Sequence, residues 1–393
     1  MVSWNILRNS WSVSCIYFLV TSICNPLDRK YTIDLPLKRI DIILLGATLF
    51  LTVFGLFMIY DASSVIAFRD FGDKYYYIRE QCINAVLGLL ALGFFAIFDY
   101  KRLYNLSFVI LLVAILMLIG VFLPGIGIYA LGANRWINLG ITVLQPAEFV
   151  KLSLAIYLAA WFSTNENGRL PAFGLLMGFV LLLVMLQPDM GTASIILMEA
   201  IILYFLSGAR LIQFAVMIPI IGLGGLIMIL IAPYRLARLT SFFNLGSDLQ
   251  GGSYHVQQIL IALGSGGIFG VGAGNSLQKF AYLPENVTDS IFAIIAEEFG
   301  FIGSVALIAL FVMVLWRGFV IASRAKDSFG RLLAAGIICF LGIQAVINLS
   351  AMTALIPLTG VPLPFISYGG SALIVDLGAI GILLSISRQG KHV

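Results

Sequence analysis

The sequence predicts an all-α, polytopic integral membrane protein with about ten transmembrane helices. Of its 393 residues, 61% are hydrophobic and only 11% are charged, and the mean hydropathy is +1.04. Soluble domains contain about 45–50% apolar and about 25% charged residues, so this composition excludes an ordinary soluble enzyme and a disordered chain. The apolar residues form long blocks instead of alternating with polar ones, which argues against an outer-membrane barrel.

Ten apolar runs predict the individual helices. Most are about 16–22 residues long, which matches the length needed to cross a bilayer. The fourth run is the most polar at its start, because Glu148 and Lys151 lie in its first turn. The runs cover residues 41–60, 80–98, 106–123, 147–163, 171–187, 191–207, 212–232, 289–316, 331–350 and 369–388.

The distribution of lysine and arginine predicts the orientation. Loops on one side of the predicted spans carry about twice as many positive residues as loops on the other, and the richer side is cytoplasmic by the positive-inside rule. Both chain ends are therefore expected inside, with residues 233–288 forming a large external loop between the seventh and eighth helices. We expect a cytoplasmic or interfacial extension over residues 1–37, the membrane domain over 38–388, and a cytoplasmic tail over 389–393.

The sequence contains no motif of a common nucleotide or histidine-based metal site. A Walker-type GxxxxGK[ST] motif is absent, which disfavours ATP-driven transport by this chain. The histidines number only two, His255 and His392, and the net charge of +4 is too small to indicate nucleic-acid binding. The glycine-rich stretch 264–274 predicts either tight backbone packing or a surface that approaches a phosphate. Four irregularly spaced cysteines are interpreted as packing residues: Cys15, Cys24, Cys82 and Cys339.

Ionisable residues at membrane depth are costly, so each is a candidate for function or for a buried pairing. Glu148 and Lys151 are three residues apart on one helical face, so they form either an ion pair or a site in which the lysine binds a diphosphate. Arg135 beside Trp136 is either an interfacial anchor or a phosphate clamp. Asp189 is either a simple helix cap or part of the same external polar set.

Asp289 is the most conspicuous acid by position. Thr288 is the expected N-cap of the eighth span, which would put Asp289 in the first helical turn at the external membrane boundary. The helix dipole would lower its pKa and burial would raise it, and the alternative to a functional role is a helix-start acid. Glu297 lies roughly 12 Å deeper, too far to pair with it. We expect Glu199 to pair with an Arg or Lys of a neighbouring helix, and Glu297 and Glu298 with buried cations or helix ends.

Several longer motifs together resemble one known family. The run NLSAMTALIPLTGVPLPFISYGGSA at 348–372 resembles the C-terminal signature of the SEDS family, the shape, elongation, division and sporulation proteins of RodA/FtsW type. The resemblance extends in matching order from about residue 38 to 388, and GLFMIYDASSVIA and YLPEN favour the division branch. The other motifs are GLFMIYDASSVIA (55–67), GDKYYYIREQ (72–81), GANRWINLG (132–140), QPAEFVKL (145–152), QPDMGTA (187–193), YRLARLTSF (234–242), GGSYHVQQILIALGSGG (251–267) and GVGAGNSLQKFAYLPENVTDSIFAIIAEEFG (270–300).

The resemblance implies a ten-span fold and peptidoglycan glycosyltransferase activity. Such enzymes polymerise lipid II, a disaccharide-pentapeptide carried on undecaprenyl diphosphate, at the outer face of the bacterial cytoplasmic membrane. The essential external aspartate of the family corresponds to Asp289, the expected general base. The resemblance also implies a class B penicillin-binding protein as partner, with other divisome or elongasome membrane proteins. No tightly bound cofactor is implied, although a divalent cation (Mg2+ or Mn2+) held in part by Asp289 could assist.

A set of polar residues is expected to bind the substrate. Arg135 and Lys151 are the first candidates for the leaving diphosphate, because cations stabilise the charge that develops there. The long external loop, with His255 and Gln257, is expected to cover the sugars. The complete expected set is Arg135, Gln145, Glu148, Lys151, Asp189, Arg235, Arg238, His255, Gln257, Lys279, Glu285 and Ser367.

The chain departs from the family pattern near this aspartate. Val287 and Ser290 stand where a His and a Phe are usual, and Ala147 and Ala354 replace a usual Ser and a common Gly. The changes at 287 and 290 bear on the positioning of the carboxylate, which is itself retained.

Two other functions compete with the transferase. A lipid II flippase or secondary transporter is favoured by the ten-span architecture and the buried glutamates. A non-catalytic scaffold that recruits a transpeptidase is the second. Replacing Asp289 by asparagine separates them, because only the transferase should lose polymerisation.

Overall fold

The computed structural model describes residues 40–390, apart from 131–132, 139, 141–142, 165–167, 232–235, 237, 239, 241, 244–251 and 281–282. The predicted extension 1–37, most of the tail 389–393 and the candidate Arg235 therefore lie outside the described residues. So do Cys15, Cys24 and His392.

Within the described residues, ten helices coincide with the ten predicted apolar runs, which confirms the all-α membrane fold. They are α1 (Ile42–Phe71), α2 (Tyr76–Ile97), α3 (Tyr100–Gly120), α4 (Pro146–Phe162), α5 (Leu170–Leu186), α6 (Met190–Leu206), α7 (Leu211–Ile231), α9 (Ile291–Arg324), α10 (Ser328–Met352) and α11 (Gly370–Gln389). Seven of them, α1–α3, α7 and α9–α11, are long and apolar enough to cross a membrane. A further helix, α8 (Gly252–Gly266), lies within the predicted external loop.

Aspartates start four of these helices. The side chain of Asp41 accepts a hydrogen bond from the Leu44 N–H at 3.0 Å, and Asp99, Asp189 and Asp327 cap α3, α6 and α10 in the same way. An N-cap acceptor satisfies a backbone donor that has no partner inside the helix, and it typically contributes about 1 kcal/mol. The predicted helix-cap role of Asp189 is confirmed.

The core lies around α10 and α11, which are the most buried of the long helices. α11 packs against α2 and α4, and α10 packs against α4, α6 and α9. The outer faces of α1, α2 and α5 expose large apolar side chains such as Phe50, Leu90 and Leu175. Lipid solvates such faces in a bilayer, while each helix satisfies its own backbone polar groups. Buried polar side chains therefore gather where the inner helices meet.

A small antiparallel sheet between α3 and α4 was not predicted from the sequence. β1 (Gly127–Ala130) pairs with β2 (Ala133–Asn138), and β2 pairs with β3 (Val143–Leu144). The register sets Gly127 opposite Ile137 and Ile137 opposite Leu144. Strand pairing satisfies the backbone groups of a segment that the apolar periodicity leaves unassigned.

α9 is broken at Gly300, where φ is 66° and ψ is −163°, a conformation that is essentially restricted to glycine. The glycine-rich stretch 264–274 packs into this break. The N–H of Gly272 donates to the Glu298 carbonyl at 3.0 Å, and a Cβ added to Gly270 would lie 2.1 Å from the same oxygen. The structure therefore favours backbone packing, the first of the two predicted roles for this stretch, over phosphate binding.

Candidate active site

Asp289 lies in a turn immediately before α9 and not in the helix. Residue Ser290 occupies the N-cap position, and its side chain makes no capping hydrogen bond. The backbone carbonyl of Glu285 accepts the N–H groups of both Thr288 and Ser290 at 3.2 Å, so helical hydrogen bonding starts only at Ile291. The predicted N-cap role of Thr288 and the predicted first-turn position of Asp289 are therefore wrong.

The Asp289 side chain is buried, with 7% of the residue exposed. Burial raises the pKa of this carboxyl to about 7, and the neighbouring Glu285 carboxylate adds to the increase. The Thr288 hydroxyl, 3.3 Å from Oδ1, and the positive charge of Arg238 lower the pKa by less. Desolvation therefore outweighs the favourable contacts of the ionised form. A carboxyl group with a pKa close to 7 is suited to accept a proton at neutral pH.

Two other segments hold the backbone around Asp289. The side-chain amide of Asn348, on α10, donates at 2.8 Å to the Asp289 carbonyl and at 2.8 Å to the Val361 carbonyl. The Tyr368 N–H donates to the Val287 carbonyl at 2.9 Å. These bonds tie the turn before α9 to the segment between α10 and α11, so the buried carboxyl belongs to a fixed junction of three chain segments.

Ser367 lies in that same segment, and its contacts are structural. Its Oγ accepts a hydrogen bond from the Leu363 N–H at 2.8 Å, and its carbonyl accepts one from Gln81 Nε2 at 3.4 Å. The residue is buried. Ser367 lies close to the aspartate turn, but its hydrogen bonds stabilise the conformation of the segment between α10 and α11.

Helix α8 contributes His255 to the surroundings of Asp289. Nε2 of His255 and Oγ of Ser290 are 2.7 Å apart, which joins the predicted external loop to the residue that follows the aspartate. Burial lowers the pKa of His255 to about 4, so its imidazole is neutral at pH 7. Gln257, two residues further along α8, is half-buried.

Arg238 is an exposed cation that acts on the same site. Its Nη1 donates to the Leu358 carbonyl at 3.3 Å, and its charge lowers the pKa of both Asp289 and His255. Glu285 is exposed on the aspartate turn, and its φ of 49° lies in the left-handed region. Asp289, Ser290, His255, Glu285 and Arg238 are called the Asp289 site below.

Glu148 and Lys151 form a buried ion pair on α4, as one of the two predictions had it. Nζ of Lys151 lies 2.7 Å from Glu148 Oε2 and 2.5 Å from Gln344 Oε1, and the lysine is fully buried. Gln344 in turn donates to the Pro362 carbonyl at 3.0 Å. Because Lys151 is 0% exposed, a diphosphate has no access to its ammonium in this arrangement.

Glu199, halfway along α6, does not have the predicted cation partner. Neither of its carboxylate oxygens has a hydrogen-bond partner among the described residues, and the side chain is fully buried. Lys151 acts on it through electrostatic attraction, but without a contact of ion-pair length. The prediction is wrong because the ammonium is already bound by Glu148 and Gln344.

Arg135, Gln145 and Asp189 connect the sheet, α4 and α6. Arg135 lies on β2 and donates from Nε to the Gln187 carbonyl at 2.8 Å and from Nη2 to the Pro188 carbonyl at 2.5 Å. Gln145 Nε2 donates to Asp189 Oδ2 at 3.2 Å. These contacts favour the anchoring role of the arginine over a free phosphate clamp.

Lys279 belongs to another buried group of charges. Its Nζ lies 3.0 Å from Asp61 Oδ1, 3.3 Å from Glu298 Oε1 and 2.6 Å from the Gly274 carbonyl. The predicted pairing of Glu298 with a buried cation is confirmed, whereas Glu297 bonds instead to serine hydroxyls and a backbone N–H of residues 265–277. With three acceptors around it, the ammonium of Lys279 is poorly placed to bind a diphosphate.

The Asp289 site does not fit a resident divalent cation. Across the described ranges, no group of three or more His, Cys, Asp and Glu side chains could hold a metal ion. Asp289 has one neighbouring carboxylate, Glu285, and one hydroxyl, Thr288. Mg2+ requires a near-octahedral set of oxygen ligands, so the protein would have to leave most of that set to water or substrate.

Three residues of these clusters were missed in the sequence, of which two are buried and the third, Asp61, is half-buried. Asp376 lies fully buried on α11, and neither carboxylate oxygen makes a hydrogen bond within 3.5 Å in the described chain, although the backbone N–H of Phe365 lies near it. The criterion that identified Glu199, an ionisable residue inside an apolar run, would also have found Asp376. The sequence gives little indication of a role for Gln344 and Asp61, because only the fold brings Gln344 into contact with Lys151 and Asp61 into contact with Lys279.

Residues 42–392 are similar to one family of proteins. The FtsW/RodA/SpoVE family model, described as cell cycle protein, matches residues 42–392. Stage V sporulation protein E of Bacillus subtilis is 40% identical over 90% of this chain and 98% of that protein. A probable peptidoglycan glycosyltransferase FtsW of Thioalkalivibrio is 41% identical over 92% of this chain and 91% of that protein.

Solved structures share the fold. One belongs to a peptidoglycan synthase complex and is described as showing structural coordination of polymerization and crosslinking. It superposes with a TM-score of 0.74 at 27% identity, covering 89% of this chain and 98% of that chain. The rod shape determining protein RodA of Thermus thermophilus gives a TM-score of 0.65 at 26% identity, covering 90% of this chain and 98% of that chain.

Proposed function

We propose that this chain, which belongs to the FtsW/RodA/SpoVE family of cell cycle proteins, is a peptidoglycan glycosyltransferase. In this proposal it joins the disaccharide-pentapeptide units of lipid II into glycan strands. The description of the family as cell cycle proteins and the relative named for sporulation support wall synthesis tied to the cell cycle, and we propose the division type. The protein is a multi-pass membrane protein, and its charge distribution supports the bacterial cytoplasmic membrane with the Asp289 site outside.

The observation that carries the proposal is the environment of Asp289. Its carboxyl group is buried in a junction of three segments, beside a neutral histidine and an exposed arginine. Burial raises its pKa to about 7, so a substantial fraction is ionised at neutral pH while the group still binds a proton readily. A general base requires both the buried position and the pKa close to 7. An acid that only stabilises the start of a helix would require neither of these two properties.

The proposed step is a single displacement at the anomeric carbon, coupled to the transfer of one proton to Asp289. The 4-hydroxyl of the acceptor GlcNAc gives its proton to Asp289, and its oxygen forms a bond to the anomeric carbon of the growing chain's MurNAc. The bond from that carbon to the diphosphate oxygen breaks, and its electron pair leaves with undecaprenyl diphosphate. Inversion at the anomeric carbon is expected from a single displacement. Base assistance of this kind contributes about 10²–10⁴-fold to the rate.

Arg238 is the preferred residue for the leaving diphosphate. Its side chain is exposed, and its charge acts on Asp289, so it can meet an anionic group at the Asp289 site. Arg238 makes a single long bond to a protein carbonyl, at 3.3 Å. Lys151 and Lys279 are instead buried beside carboxylates, and Arg135 is held by two carbonyls, which weakens the order suggested by the sequence. Gln257 and His255 lie on α8 and are proposed to contact the sugars.

The partner proposed is a class B penicillin-binding protein that cross-links the new strand. Support comes from the structural similarity to a chain of a peptidoglycan synthase complex, whose description couples polymerization to crosslinking. Other membrane proteins of the division machinery are proposed to join them.

The test is lipid II polymerisation by the purified full chain with a transpeptidase partner, with products separated on a gel. Asp289→Asn removes the base while keeping the size of the side chain, and we expect it to polymerise about 10²–10⁴-fold more slowly. Asp70→Asn is the matched control, because Asp70 lies exposed at the end of α1 and bonds to Arg69. It should polymerise like the wild type.

Lipid II binding is measured in parallel to distinguish chemistry from folding. If Asp289→Asn binds lipid II and makes no strands, the base role holds. If it makes strands at the wild-type rate, Asp289 is not the base. If the wild type binds lipid II but makes no strands with its partner present, the flippase and scaffold functions replace the transferase, and lipid II translocation is measured next.

A further inference from the structure

Ionisable side chains from three helices surround one ammonium inside the membrane domain. Lys151 and Glu148 come from α4, Glu199 from α6 and Asp376 from α11, and none is more than 2% exposed. Lys151 attracts both Glu199 and Asp376, and Glu148 repels Asp376. This group of four residues is called the inner cluster. It is separate from the Asp289 site and has no role in the proposed transferase mechanism.

Two carboxyl groups of the inner cluster, those of Glu199 and Asp376, have no ion-pair partner among the described residues. Both oxygens of Glu199 and both oxygens of Asp376 are buried with no hydrogen bond within 3.5 Å in the described part of the chain, although the backbone N–H of Phe365 lies near Asp376. The ammonium of Lys151 is bound by Glu148 at 2.7 Å and by Gln344 at 2.5 Å, which leaves it committed to other acceptors. Buried polar groups in folded proteins are nearly always satisfied, so these four oxygens call for a ligand.

The charge balance indicates the sign of that ligand. With all groups ionised, the inner cluster holds one positive and three negative charges on residues that are at most 2% exposed. An unpaired charge in such surroundings is very costly, and proteins avoid it by binding a proton or a counterion. Two positive charges are needed for neutrality, one for each unpartnered carboxyl group.

In the described part of the chain, Lys151 is the one cation that acts on Glu199 or Asp376. The ionisable groups that act on Glu199 are Lys151 and the Cys339 thiol of α10, and those that act on Asp376 are Lys151 and Glu148. Helix α5, which also packs against α6, contains no ionisable residue. A divalent metal does not fit, since no metal-ligating group of three such side chains occurs in the described residues.

We propose that the carboxyl groups of Glu199 and Asp376 are intramembrane binding sites for a small monovalent cation, each taking up a proton or Na+. A proton converts the carboxylate into a neutral acid, and Na+ neutralises it while bonding to its oxygens. The two cations share the same chemistry of binding to a buried carboxylate. Neither requires the transferase reaction, so the proposal goes beyond the function proposed above.

The sites lie close to the framework that holds Asp289. Gln344, which binds Lys151, donates to Pro362, and Asn348, one turn further along α10, binds both Val361 and Asp289. The inner cluster and the Asp289 site are thus connected through these hydrogen bonds and the covalent backbone between Val361 and Pro362. Cation occupancy changes the charge next to Lys151, at one end of that connection.

Infrared spectroscopy tests the proposal directly, because only a protonated carboxyl group has a carboxylic C=O stretching band. The full chain in detergent is measured at pH 8, where most of Asp289 is ionised, in Na+ buffer and in choline buffer. Glu199→Gln and Asp376→Asn keep the shape of each side chain without the titratable group, and Asp70→Asn is the exposed control. Folding of each variant is verified by circular dichroism and by a single peak in size-exclusion chromatography.

If protons occupy the sites, the band is present in both buffers and weakens in Glu199→Gln and Asp376→Asn but not in Asp70→Asn. If Na+ occupies them, the band is absent in Na+ buffer and appears in choline buffer. The proposal is overturned if the wild type has no such band in either buffer, or if the band survives unchanged in both folded variants. Where one variant fails to fold, the other variant still assigns the band, together with the wild-type comparison between buffers.

Discussion

Replacing Asp289 by asparagine should stabilise the fold at neutral pH while it slows polymerisation by about 10²–10⁴-fold. Burial raises the pKa of this carboxyl from its ordinary value of 3.8 to about 7, so folding disfavours the ionised form. The wild type therefore loses stability as the pH rises from about 4 to about 7, and above pH 7 the loss is constant. A difference of about three between the folded and unfolded pKa values corresponds to about 4 kcal/mol. An amide does not titrate, so the variant escapes this loss.

The assay is reversible unfolding in mixed detergent micelles between pH 4 and pH 8. We expect the stability of Asp289→Asn relative to the wild type to grow by up to about 4 kcal/mol across this range, with most of the gain below pH 7. Asp70→Asn should show no such gain, because that carboxyl is exposed and bonds to Arg69. A stability difference that is independent of pH, or that increasingly favours the wild type at high pH, would refute the reasoning.

Three further substitutions test the packing and the buried charges. Gly270→Ala should prevent folding, measured as loss of the monodisperse peak, because its Cβ would lie 2.1 Å from the Glu298 carbonyl, whereas Gly264→Ala has free space and should fold. Ala354→Gly should raise the thermal midpoint, since Ala354 has a φ of 53°, which is strained for any residue with a Cβ. Relief of this backbone strain is expected to contribute about 1 kcal/mol, reduced in part by the greater conformational entropy of glycine in the unfolded chain. An unchanged or lower midpoint would contradict this expectation. Lys151→Met should cost about 3–5 kcal/mol of unfolding free energy by leaving Glu148 unpaired, and Glu148→Gln added to it should restore part of the loss; no restoration would contradict the ion-pair account.

The membrane helices could be predicted from sequence because the signal is local. A long apolar run in a membrane has almost no alternative to a helix, so the ten runs coincide with ten helices among the described residues. The Glu148–Lys151 pair was also accessible, since a spacing of three residues fixes their proximity within α4. In both cases the interacting groups lie on one element.

The remaining features depend on contacts between distant segments. Thr288 is a residue type that favours the N-cap position, but its N–H donates to the Glu285 carbonyl in a turn. Helix α9 therefore begins at Ile291, three residues after Thr288. Glu199 lacks its expected ion-pair partner because the ammonium of Lys151 is bound by Gln344, which lies on another helix. The antiparallel sheet is likewise formed by pairing of strands too short to give a periodic signal.

The pH dependence of lipid II polymerisation tests the role of Asp289 as general base most directly. With a pKa of about 7, the ionised fraction rises about tenfold between pH 6 and pH 8, and the rate should follow it. Thr288→Val removes a contact that lowers this pKa and should move the midpoint to higher pH, whereas Glu285→Gln removes a repelling charge and should move it to lower pH. A rate that is the same at pH 6 and pH 8, or midpoints that move in the opposite directions, would contradict the account.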